Sequence, residues 1–555
     1  MATPTVSAGA ATGAPGLKRS IGFWGLTFIS LGSIIGSGWL LGALTAATKA
    51  GPASLLSWVL AAVMLAVLAL IHAELGGAYP ASGGTARFPL FAFGTLAGFT
   101  AGWATWLQAV AIAPIEVEAS LSYLNNIDWV KANLNMLNDN GTLTGSGIVW
   151  ATLLMALFTV VNIVGVKLLS DSNAVTVIWK TAVPVLTVIV LLSLTFHASN
   201  FTAGGGFAPY GAHGIFAALP AGVVFALQGF EQAIQVSGEA KNPQKDISRA
   251  VIVATMIGTS VYILLEIAFI GALDPTVLAS QGWLHPIGAG DFGPYASLAA
   301  GAGAAWLAYV LYADAFVSPA GTGLVYIATS ARATYAMGRT KVLPAALGRL
   351  TVRGVPLISI VLAFVIGELT FLPFPSWSAL VNVVTSATAI MYAFAPVSLA
   401  ALRLRDPDRQ RPYNLPYPKV LAPLGFIFAN TIIYWGGFDT TMKLLVGIFI
   451  GRVLFEVTLA LTKAEDRPPI DWRASSWIWP WLIGMLIIGL FGRYGNWGYL
   501  SVLPEFVDLL VVAVFSLIIF YFAVSVAMAS EDVIATVEDS SDEMEAIEAQ
   551  VKLAD

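Results

Sequence analysis

The sequence predicts an all-α polytopic membrane protein, and its composition and the length of its apolar segments support that class. Hydrophobic residues make up 57% of the 555 residues and charged residues 11%, and the mean hydropathy is +0.79. Soluble domains carry about 25% charged residues, so this composition excludes a soluble globular fold. Successive apolar segments of about twenty residues match the thickness of a bilayer core.

Fourteen apolar segments are predicted to cross the bilayer, and we number them spans 1 to 14. Spans 3 and 8 are longer than one crossing requires, so we expect tilted helices that run past the membrane surface. Span 13 is short. In chain order the spans are 22–48, 53–76, 90–124, 147–166, 172–197, 212–238, 246–273, 293–330, 355–373, 376–402, 418–438, 441–463, 477–492 and 503–529.

The distribution of basic residues predicts the orientation, because cytoplasmic loops carry an excess of Lys and Arg. With the N-terminus in the cytoplasm, 21 of the 27 basic residues lie inside or at the inner ends of spans, and two, Lys180 and Arg452, lie well within spans. The outer side then holds only Lys49, Lys131, Lys443 and Arg493. An even number of spans returns the C-terminus to the cytoplasm, and we expect a multi-pass protein of the cell membrane.

The first unusual feature is the heptapeptide Gly32-Ser33-Ile34-Ile35-Gly36-Ser37-Gly38 in the middle of span 1. Three glycines and two serines loosen a helix. In hydrocarbon a free N–H or C=O costs several kcal/mol unless protein or a water-filled cavity covers it, and a bound ligand can use such groups. The alternative is that Gly32 and Gly36 form a small-residue packing face for a neighbouring helix.

A second break is predicted at Phe225–Gln232 in span 6, where Gly229, two glutamines and Glu231 occur together. A carboxylate at this depth costs at least about 2.5 kcal/mol unless it faces an interior cavity or is protonated. The alternative is that a neighbouring helix satisfies Glu231. We expect Glu231 to be a structural or protonation-linked element of a gate.

The two breaks lie five spans apart, so span 6 runs opposite to span 1. This is the pattern of an inverted five-plus-five helix repeat with discontinuous helices 1 and 6, plus about four peripheral transmembrane helices. Freed N–H groups suit a carboxylate and freed C=O groups suit an ammonium, so the breaks suit a zwitterionic amino acid. Candidate binding residues are Ser33, Ile34, Gly36, Ser37, Gly38, Phe225, Ala226, Gln228 and Gly229.

The N–H groups of Ser37 and Gly38, together with neighbouring groups of Gly36, are predicted to bind the carboxylate of the amino acid. The carbonyl groups near Ile34 and from Phe225 to Gln228 are predicted to hold its ammonium. Gln228 is open to two interpretations, as a group that recognises an acidic or amide side chain or as a residue packed away.

Beyond these breaks, the chain divides into four regions. Residues 1–17 have neither a charged start nor an apolar core, so they are not a signal peptide, and we expect a disordered cytoplasmic N-terminus. The ten-helix core spans 18–402, the peripheral helices 11–14 span 403–529, and an acidic cytoplasmic tail spans 530–555. With no Cys and four scattered His, we expect no metal site, no cofactor and no catalytic motif. Nothing suggests a nucleic-acid partner.

Five stretches in this order resemble the amino acid–polyamine–organocation superfamily of transporters, over roughly residues 20–465. They are Gly36–Trp39, Glu74–Arg87, Gly229–Glu231 with Gly238–Pro243, Ala331–Met337 through Leu343-Pro344, and Arg411-Pro412-Tyr413 with Pro416. The chain is most similar to aspartate/proton symporters within this superfamily. It departs from the usual twelve spans by adding two.

The resemblance implies roles for several residues. Phe225 occupies a position similar to the superfamily's gate, with ordinary packing as the alternative. Lys180 in span 5 resembles the lysine that replaces the ion of sodium-coupled relatives, and Ser318 and Thr322 of span 8 are expected to face it. The alternative for Lys180 is a side chain that extends to the membrane surface.

The remaining charged residues within spans have no assigned role. Glu116 and Glu118 are two apart, which places them about 200° apart on a helix. Both cannot line one cavity, so at least one has a structural partner. Asp314 lies close to the region that should face span 5. Structural pairs are expected to involve Glu266, Glu368 and Arg452.

The sequence is thus interpreted as a secondary active amino-acid transporter with alternating access, a proton symporter in which acidic amino acids are candidate substrates. An uncoupled exchanger or facilitator is the first alternative, because Lys180 cannot distinguish symport from exchange. An amino-acid sensor on the same fold would need an output domain. An enzyme is disfavoured because no nucleophile constellation is present. Membrane lipid surrounds the protein in every case, and its oligomeric state is left open.

Overall fold

The computed structural model describes residues 21–80, 84–164, 166–288, 293–351, 355–372, 376–495 and 497–540, and side chains are described for all of these except 166–174. The predicted disorder of residues 1–17 and the end of the acidic tail, 541–555, lie outside the described residues.

Each of the fourteen predicted spans corresponds to one or more helices. Spans 1 to 5 are Phe23–Ile34 with Ser37–Ala50, Ser54–Ala78, Thr95–Leu124, Gly145–Val164 and Val166–Leu194. Spans 6 to 10 are Gly211–Ala218 through Val224–Leu227 with Gln232–Gln235, Pro243–Ala272, Ala305–Arg339, Leu357–Thr370 and Trp377–Arg405. Spans 11 to 14 are Pro418–Trp435, Phe438–Leu461, Ile478–Phe491 and Val507–Val526.

Short helices connect the spans at their ends. They are Gly51–Ala53, Gly84–Ala86, Arg87–Phe93, Asp128–Leu134, Ala198–Thr202, Ser237–Glu239, Pro275–Gln281, Pro294–Gly301, Ala345–Gly348 and Ala464–Asp466. Within the described ranges the chain forms no β-strand, and its only extended pairings are two isolated bridges.

Length and hydropathy identify these helices as membrane-crossing elements. In the described chain, nine continuous helical stretches are long and apolar enough to cross a membrane, and one of them, Ser37–Ala78, joins the second half of span 1 to span 2. Four shorter apolar helices belong to the broken spans 1 and 6 and to the short spans 9 and 13. The all-α polytopic membrane fold is confirmed.

Spans 3 and 8 differ from the prediction of single tilted helices. The segment predicted as span 3 begins inside the short helix Arg87–Phe93, and the segment predicted as span 8 contains Pro294–Gly301 before its main helix. Gly94 (φ 81°) and Gly303 (φ 79°) interrupt the two segments. A residue in this left-handed region cannot continue a right-handed helix, so each segment is a short helix followed by a long one.

Helices 1 and 6 are discontinuous, as predicted for the inverted repeat. The first helix of span 1 ends at Ile34 and the second begins at Ser37. In span 6 the first part ends at Leu227 after a π-helical turn at Leu219–Val223. Its second part, Gln232–Gln235, has only four residues. Each break lies in the first span of one predicted five-span repeat.

The helix packing surrounds both breaks with protein. Span 1 packs against spans 7 and 5, span 3 packs against spans 8 and 10, and span 2 packs against span 7. At the start of span 1, the backbone of Ile21 pairs with the segment after span 6, accepting from Lys241 N–H at 2.8 Å and donating to Glu239 at 3.0 Å. The start of span 1 is therefore joined to the segment that follows span 6.

A buried ion pair joins two of the sequence motifs described above. Glu74, at the end of span 2, is fully buried. It accepts two hydrogen bonds from Arg403 of span 10, at 2.8 and 2.5 Å, and Arg411 lies 3.3 Å away. The backbone N–H of Leu415 completes the shell at 2.7 Å. Because a buried carboxylate needs partners on most of its lone pairs, this cluster fixes spans 2, 10 and 11 together.

The peripheral helices contact one another through buried polar groups. Asn430 of span 11 accepts from Trp481 of span 13 at 2.7 Å and donates to Ser516 of span 14 at 2.9 Å. The acidic tail begins as a helix over 530–540. Val533 and Val537 on this helix are buried, so its described part is packed against the protein.

Candidate functional site

The two broken helices contact each other at their breaks. Gly229 has a φ of 114°, and a side chain there would meet Ser33 and the backbone of Ile34 within 2.9 Å. A Cβ on Gly38 would lie 2.9 Å from the Cα of Ala226. Only glycine permits such close approach of two backbones, and this is the physical reason for two of the glycines that mark the breaks.

A small cavity of about 10 Å³, room for about one water molecule in this conformation, lies between the breaks and spans 3 and 8. The lining residues are Ser33, Ile34, Gly36, Gly38, Gln108, Ile112, Glu116, Phe225, Gln228, Thr322 and Tyr326. The lining therefore includes seven of the predicted residues. The others, Ser37, Ala226, Gly229, Lys180, Glu231 and Ser318, are not part of the lining.

Glu116 of span 3 occupies the N-terminus of the second half of helix 1. Its carboxylate accepts the Ser37 N–H at 2.9 Å, so this donor, which we predicted for a substrate carboxylate, already has a partner in the protein. The other oxygen, Oε1, is buried without a hydrogen-bond partner among the described residues. Gly36 lets the carboxylate approach, since a Cβ there would lie 2.8 Å from this oxygen.

Lys180 lies against the break in span 1. Its ammonium donates to the Gly32 carbonyl at 2.6 Å and to the Thr322 hydroxyl at 2.6 Å. The side chain is 2% exposed, so it does not extend to the membrane surface. The ammonium holds a carbonyl that the helix break leaves free and links the first half of helix 1, Phe23–Ile34, to spans 5 and 8.

Ser318 was expected to face Lys180, but its hydroxyl donates to Asp314 at 2.6 Å. The spacing of four residues explains this pairing, because residues i and i+4 are neighbours on a helix. Asp314 also accepts from Trp179 at 2.7 Å and from Trp39 at 3.1 Å. Asp314 thus links the second half of helix 1, Ser37–Ala50, to spans 5 and 8.

Glu231 lies at the break in span 6 and is fully buried. Its Oε2 accepts the Gly229 N–H at 3.1 Å and the Tyr392 hydroxyl at 2.5 Å. Gln232 donates to Oε1 at 3.4 Å. The carboxylate therefore satisfies a backbone donor that the break leaves free, and it contacts span 10 outside the cavity lining.

Aromatic side chains cover the cavity at both ends. Phe225 packs edge-on against Trp377, with ring centroids 6.0 Å apart, and the Trp377 indole donates to the Ser37 hydroxyl at 3.1 Å. At the other end the Tyr326 hydroxyl bonds Ser33 at 2.7 Å. These contacts limit the entry of water into the cavity.

Sequence reasoning missed four lining residues. Gln108, Ile112 and Glu116 follow one another at intervals of four on span 3, so they share one face of the helix. Two polar residues on a single face of an apolar helix were a signal for this site. Tyr326 has no such signal, because its role depends on a contact with Ser33, which lies 293 positions away in the chain.

The other acidic residues within spans lie apart from the cavity lining and differ in their contacts. Both oxygens of Glu118 are buried without a hydrogen-bond partner in the described part of the chain. Glu266 accepts from Ser54 and Trp58, and Glu368 accepts from Thr152 at 2.7 Å. Arg452 pairs with its helix neighbour Glu456. The predicted structural pairing does not join Glu266, Glu368 and Arg452 to one another.

This arrangement defines a class of protein. A small cavity in the middle of a polytopic helical fold, between two discontinuous helices and charged residues that hold them, is the architecture of a secondary transporter. Over the described residues, no group of three or more His, Cys, Asp or Glu is placed to hold a metal ion.

Comparison with known proteins identifies the family. The model of a family described as amino acid permease matches residues 21–454. The chain is 37% identical over 511 residues to the glutamate/serine transporter AimA of Bacillus subtilis (strain 168). The aligned region covers 91% of this chain and 94% of that protein. It is 35% identical over 510 residues to the aspartate-proton symporter of the same organism, covering 91% and 96%.

A more distant relative, the branched-chain amino acid permease BcaP of Bacillus subtilis (strain 168), is 27% identical over 458 residues, 80% of this chain and 94% of that protein. The chain belongs to the amino acid permease family. It is a transporter of the amino acid–polyamine–organocation type and not an enzyme, which confirms the resemblance stated from the sequence motifs.

Proposed function

We propose that this protein is a proton-coupled amino-acid symporter that works by alternating access. The observation that carries the proposal is the Lys180 ammonium on the Gly32 carbonyl at the break of helix 1. A relative that is 35% identical is an aspartate-proton symporter, which supports coupling to protons. A second relative, 37% identical, is a glutamate/serine transporter, which supports acidic and small polar amino acids as substrates.

The amino-acid backbone binds between the two breaks. The N–H of Gly38 is in the first turn of a helix, where donors have no partner within the helix and the dipole favours an anion. It holds the substrate carboxylate together with the rest of that turn. The substrate ammonium binds the free oxygen Oε1 of Glu116 and carbonyl groups of the breaks. Ile34 contributes less than predicted, since its carbonyl already accepts from Tyr262 at 2.8 Å.

Coupling follows from the contacts of Lys180. The protonated ammonium holds the inner half of helix 1 on spans 5 and 8 through Gly32 and Thr322. When its proton leaves, the amine retains at most two donors and no charge, so the contact weakens. The inner half of helix 1 is then free to swing with the inner part of span 6, which opens the cavity to the cytoplasm.

The membrane placement completes the proposal. The protein lies in the cell membrane with both termini in the cytoplasm, as the distribution of basic residues indicates. The transport core comprises residues 18–402, and helices of 403–529 surround it and face lipid. The molecules with which the transporter interacts are the amino acid, protons and membrane lipid.

The experiment that tests this function is uptake into proteoliposomes containing the purified full chain. A panel of amino acids is offered with and without an imposed pH gradient, acidic outside. Symport predicts accumulation above equilibrium that a protonophore abolishes. Exchange without accumulation would favour the uncoupled exchanger, and substrate binding without either activity would favour a sensor.

Phe225 should close the cavity from the outer side, because its ring supplies apolar area that excludes water from the polar groups beneath it. We expect Phe225→Ala to reduce uptake at least about tenfold while lowering thermal stability by no more than another buried Phe→Ala change does. Phe269→Ala, on a buried ring outside the lining, is the control. A transport loss that merely follows the stability loss in both variants would favour ordinary packing.

Glu231 should act on the gate and not on the substrate side chain. Glu231→Gln keeps the shape and removes the charge that holds the Gly229 N–H and the Tyr392 hydroxyl. We expect a changed pH dependence of uptake with an unchanged order of preference among amino acids. Uptake is measured across the panel at several pH values. A changed preference with the original pH dependence would mean that the assignment is wrong.

A further inference from the structure

Two glutamines give the cavity one unused donor and one unused acceptor. Gln108 of span 3 and Gln228 of the span 6 break both line it, at 1% and 5% exposure. Within the described residues the amide nitrogen of Gln108 and the amide oxygen of Gln228 are both buried without a hydrogen-bond partner. Buried polar groups normally have hydrogen-bond partners, so both atoms are candidates to bind a ligand.

The orientation of the Gln228 amide follows from its neighbour. Its nitrogen donates to the Thr385 carbonyl at 3.4 Å, and a carbonyl can only accept. The amide oxygen of Gln228 is therefore the atom left unused. The side chain of Gln108 interacts electrostatically with the Tyr326 hydroxyl, but its amide nitrogen makes no hydrogen bond of acceptable geometry, and that hydroxyl already bonds Ser33 and Gln232.

The two ends of the cavity differ in what they offer. Gln108 and Glu116 are eight residues apart on one helix face, which is about 12 Å along the axis. The end at Glu116 and Gly38 suits the charged backbone of an amino acid, as proposed above. The end at Gln108 is therefore available for the side chain of that amino acid.

The charges around the cavity disfavour a second negative charge. The lining contains one carboxylate, Glu116, and no Lys, Arg or His. The nearby ammonium of Lys180 is already bonded to Gly32 and Thr322, and it interacts electrostatically with Glu116. A side-chain carboxylate bound here would lose its hydration without gaining a cation, which is costly in a buried site.

We propose that this cavity selects amino acids whose side chain is uncharged and both donates and accepts a hydrogen bond. These are hydroxyl and carboxamide side chains, and acidic side chains in their protonated form. The side-chain oxygen accepts from Gln108, and the side-chain O–H or N–H donates to Gln228. This inference rests on the proposed transport of amino acids and narrows its substrate class.

A consequence concerns the proton. An acidic amino acid carried in this form brings one proton into the cavity on its own carboxyl group. On the cytoplasmic side the carboxyl group releases that proton to water, because a free glutamate side chain has a pKa of about 4.3. This proton is additional to any proton that Lys180 binds and releases.

The test measures KM for glutamate and glutamine in proteoliposomes with the wild-type chain, between pH 5.5 and 7.5. In this range the protonated fraction of the glutamate side chain rises about tenfold for each unit that the pH falls. We expect the ratio of KM for glutamate to KM for glutamine to fall about tenfold for each unit that the pH falls. The ratio removes any pH effect on the transporter that both substrates share.

A competition assay supplies the second arm. L-homocysteate matches glutamate in length, but its sulfonate stays ionised throughout this range, so it should not compete with glutamine uptake. Competition as strong as that of glutamate, or a KM ratio that does not change with pH, would overturn the inference. Uptake of glutamate without uptake of glutamine or asparagine would overturn it as well. A complete absence of amino-acid uptake would instead refute the proposed transport function.

A variant locates the effect. Gln108→Leu should raise KM for glutamine at least about tenfold more than it raises KM for alanine, because the methyl side chain of alanine makes no hydrogen bonds. The control is Gln235→Leu, which removes an amide of the same type outside the cavity lining, where Gln235 donates to Thr85 at 3.1 Å. An equal change in both KM values for Gln108→Leu would contradict the assignment of Gln108.

Discussion

Lys180→Ala should abolish accumulation of amino acids driven by a pH gradient. The substitution removes the ammonium that holds Gly32 and Thr322, so proton binding no longer controls the position of the inner half of helix 1. With one proton per substrate, a gradient of one pH unit supports about tenfold accumulation, since 1.4 kcal/mol is a factor of ten. In the variant the accumulation ratio should fall to about one, as measured by uptake into proteoliposomes.

The control is Arg452→Ala, which removes the other cation found within a span and leaves the breaks untouched. It should retain accumulation, because Arg452 pairs with Glu456 on its own helix. Counterflow without a pH gradient shows whether the Lys180 variant still binds and exchanges substrate. Accumulation by Lys180→Ala at the wild-type level would remove the coupling role.

Gly38→Val should abolish uptake while leaving the protein inserted in the membrane. A Cβ at this position already lies 2.9 Å from the backbone of Ala226, and valine adds two further methyl groups. The two breaks would have to separate, which displaces the N–H groups that are predicted to bind the substrate carboxylate. Such misplacement of a binding group by about 1 Å can cost about a hundredfold in rate.

The matched control for this prediction is one helical turn away. A Cβ on Gly42 would lie 3.5 Å from Trp58 and 3.9 Å from Ala226, which is ordinary van der Waals contact. Gly42→Ala should therefore transport normally, whereas Gly38→Ala should already be impaired. Uptake is compared at equal amounts of purified, monodisperse protein. Normal transport by Gly38→Val would place the binding site elsewhere.

The sequence predicted the helical spans well because each span is a local property of the chain. About twenty apolar residues must form a hydrogen-bonded helix in a bilayer, whatever their neighbours are. The errors occurred at Gly94 and Gly303, where the apolar character continues but the backbone turns. Hydropathy averages over such single residues, so the two extra helix breaks were not detected.

The breaks themselves were also predictable from composition. Glycine, serine and glutamine in the middle of an apolar span are unfavourable unless protein covers them, and the helix is interrupted within each stretch, at 35–36 and at 228–231. The residues that contact these stretches were harder to predict from the sequence. The i to i+4 pairing of Ser318 with Asp314 could have been foreseen from spacing alone, but the contact of Glu116 with Ser37 crosses 79 positions of sequence.

The sequence by itself determined the membrane class, the fourteen spans, the two breaks and the candidate lysine, because hydropathy and backbone conformation depend on neighbouring residues. Only the tertiary structure decided which polar atoms face each other. It assigned the Ser37 N–H to Glu116, turned Lys180 inward and left the amides of Gln108 and Gln228 unpaired at one cavity. Those contacts join helices far apart in the chain, and the packing of the whole bundle sets the distances between them.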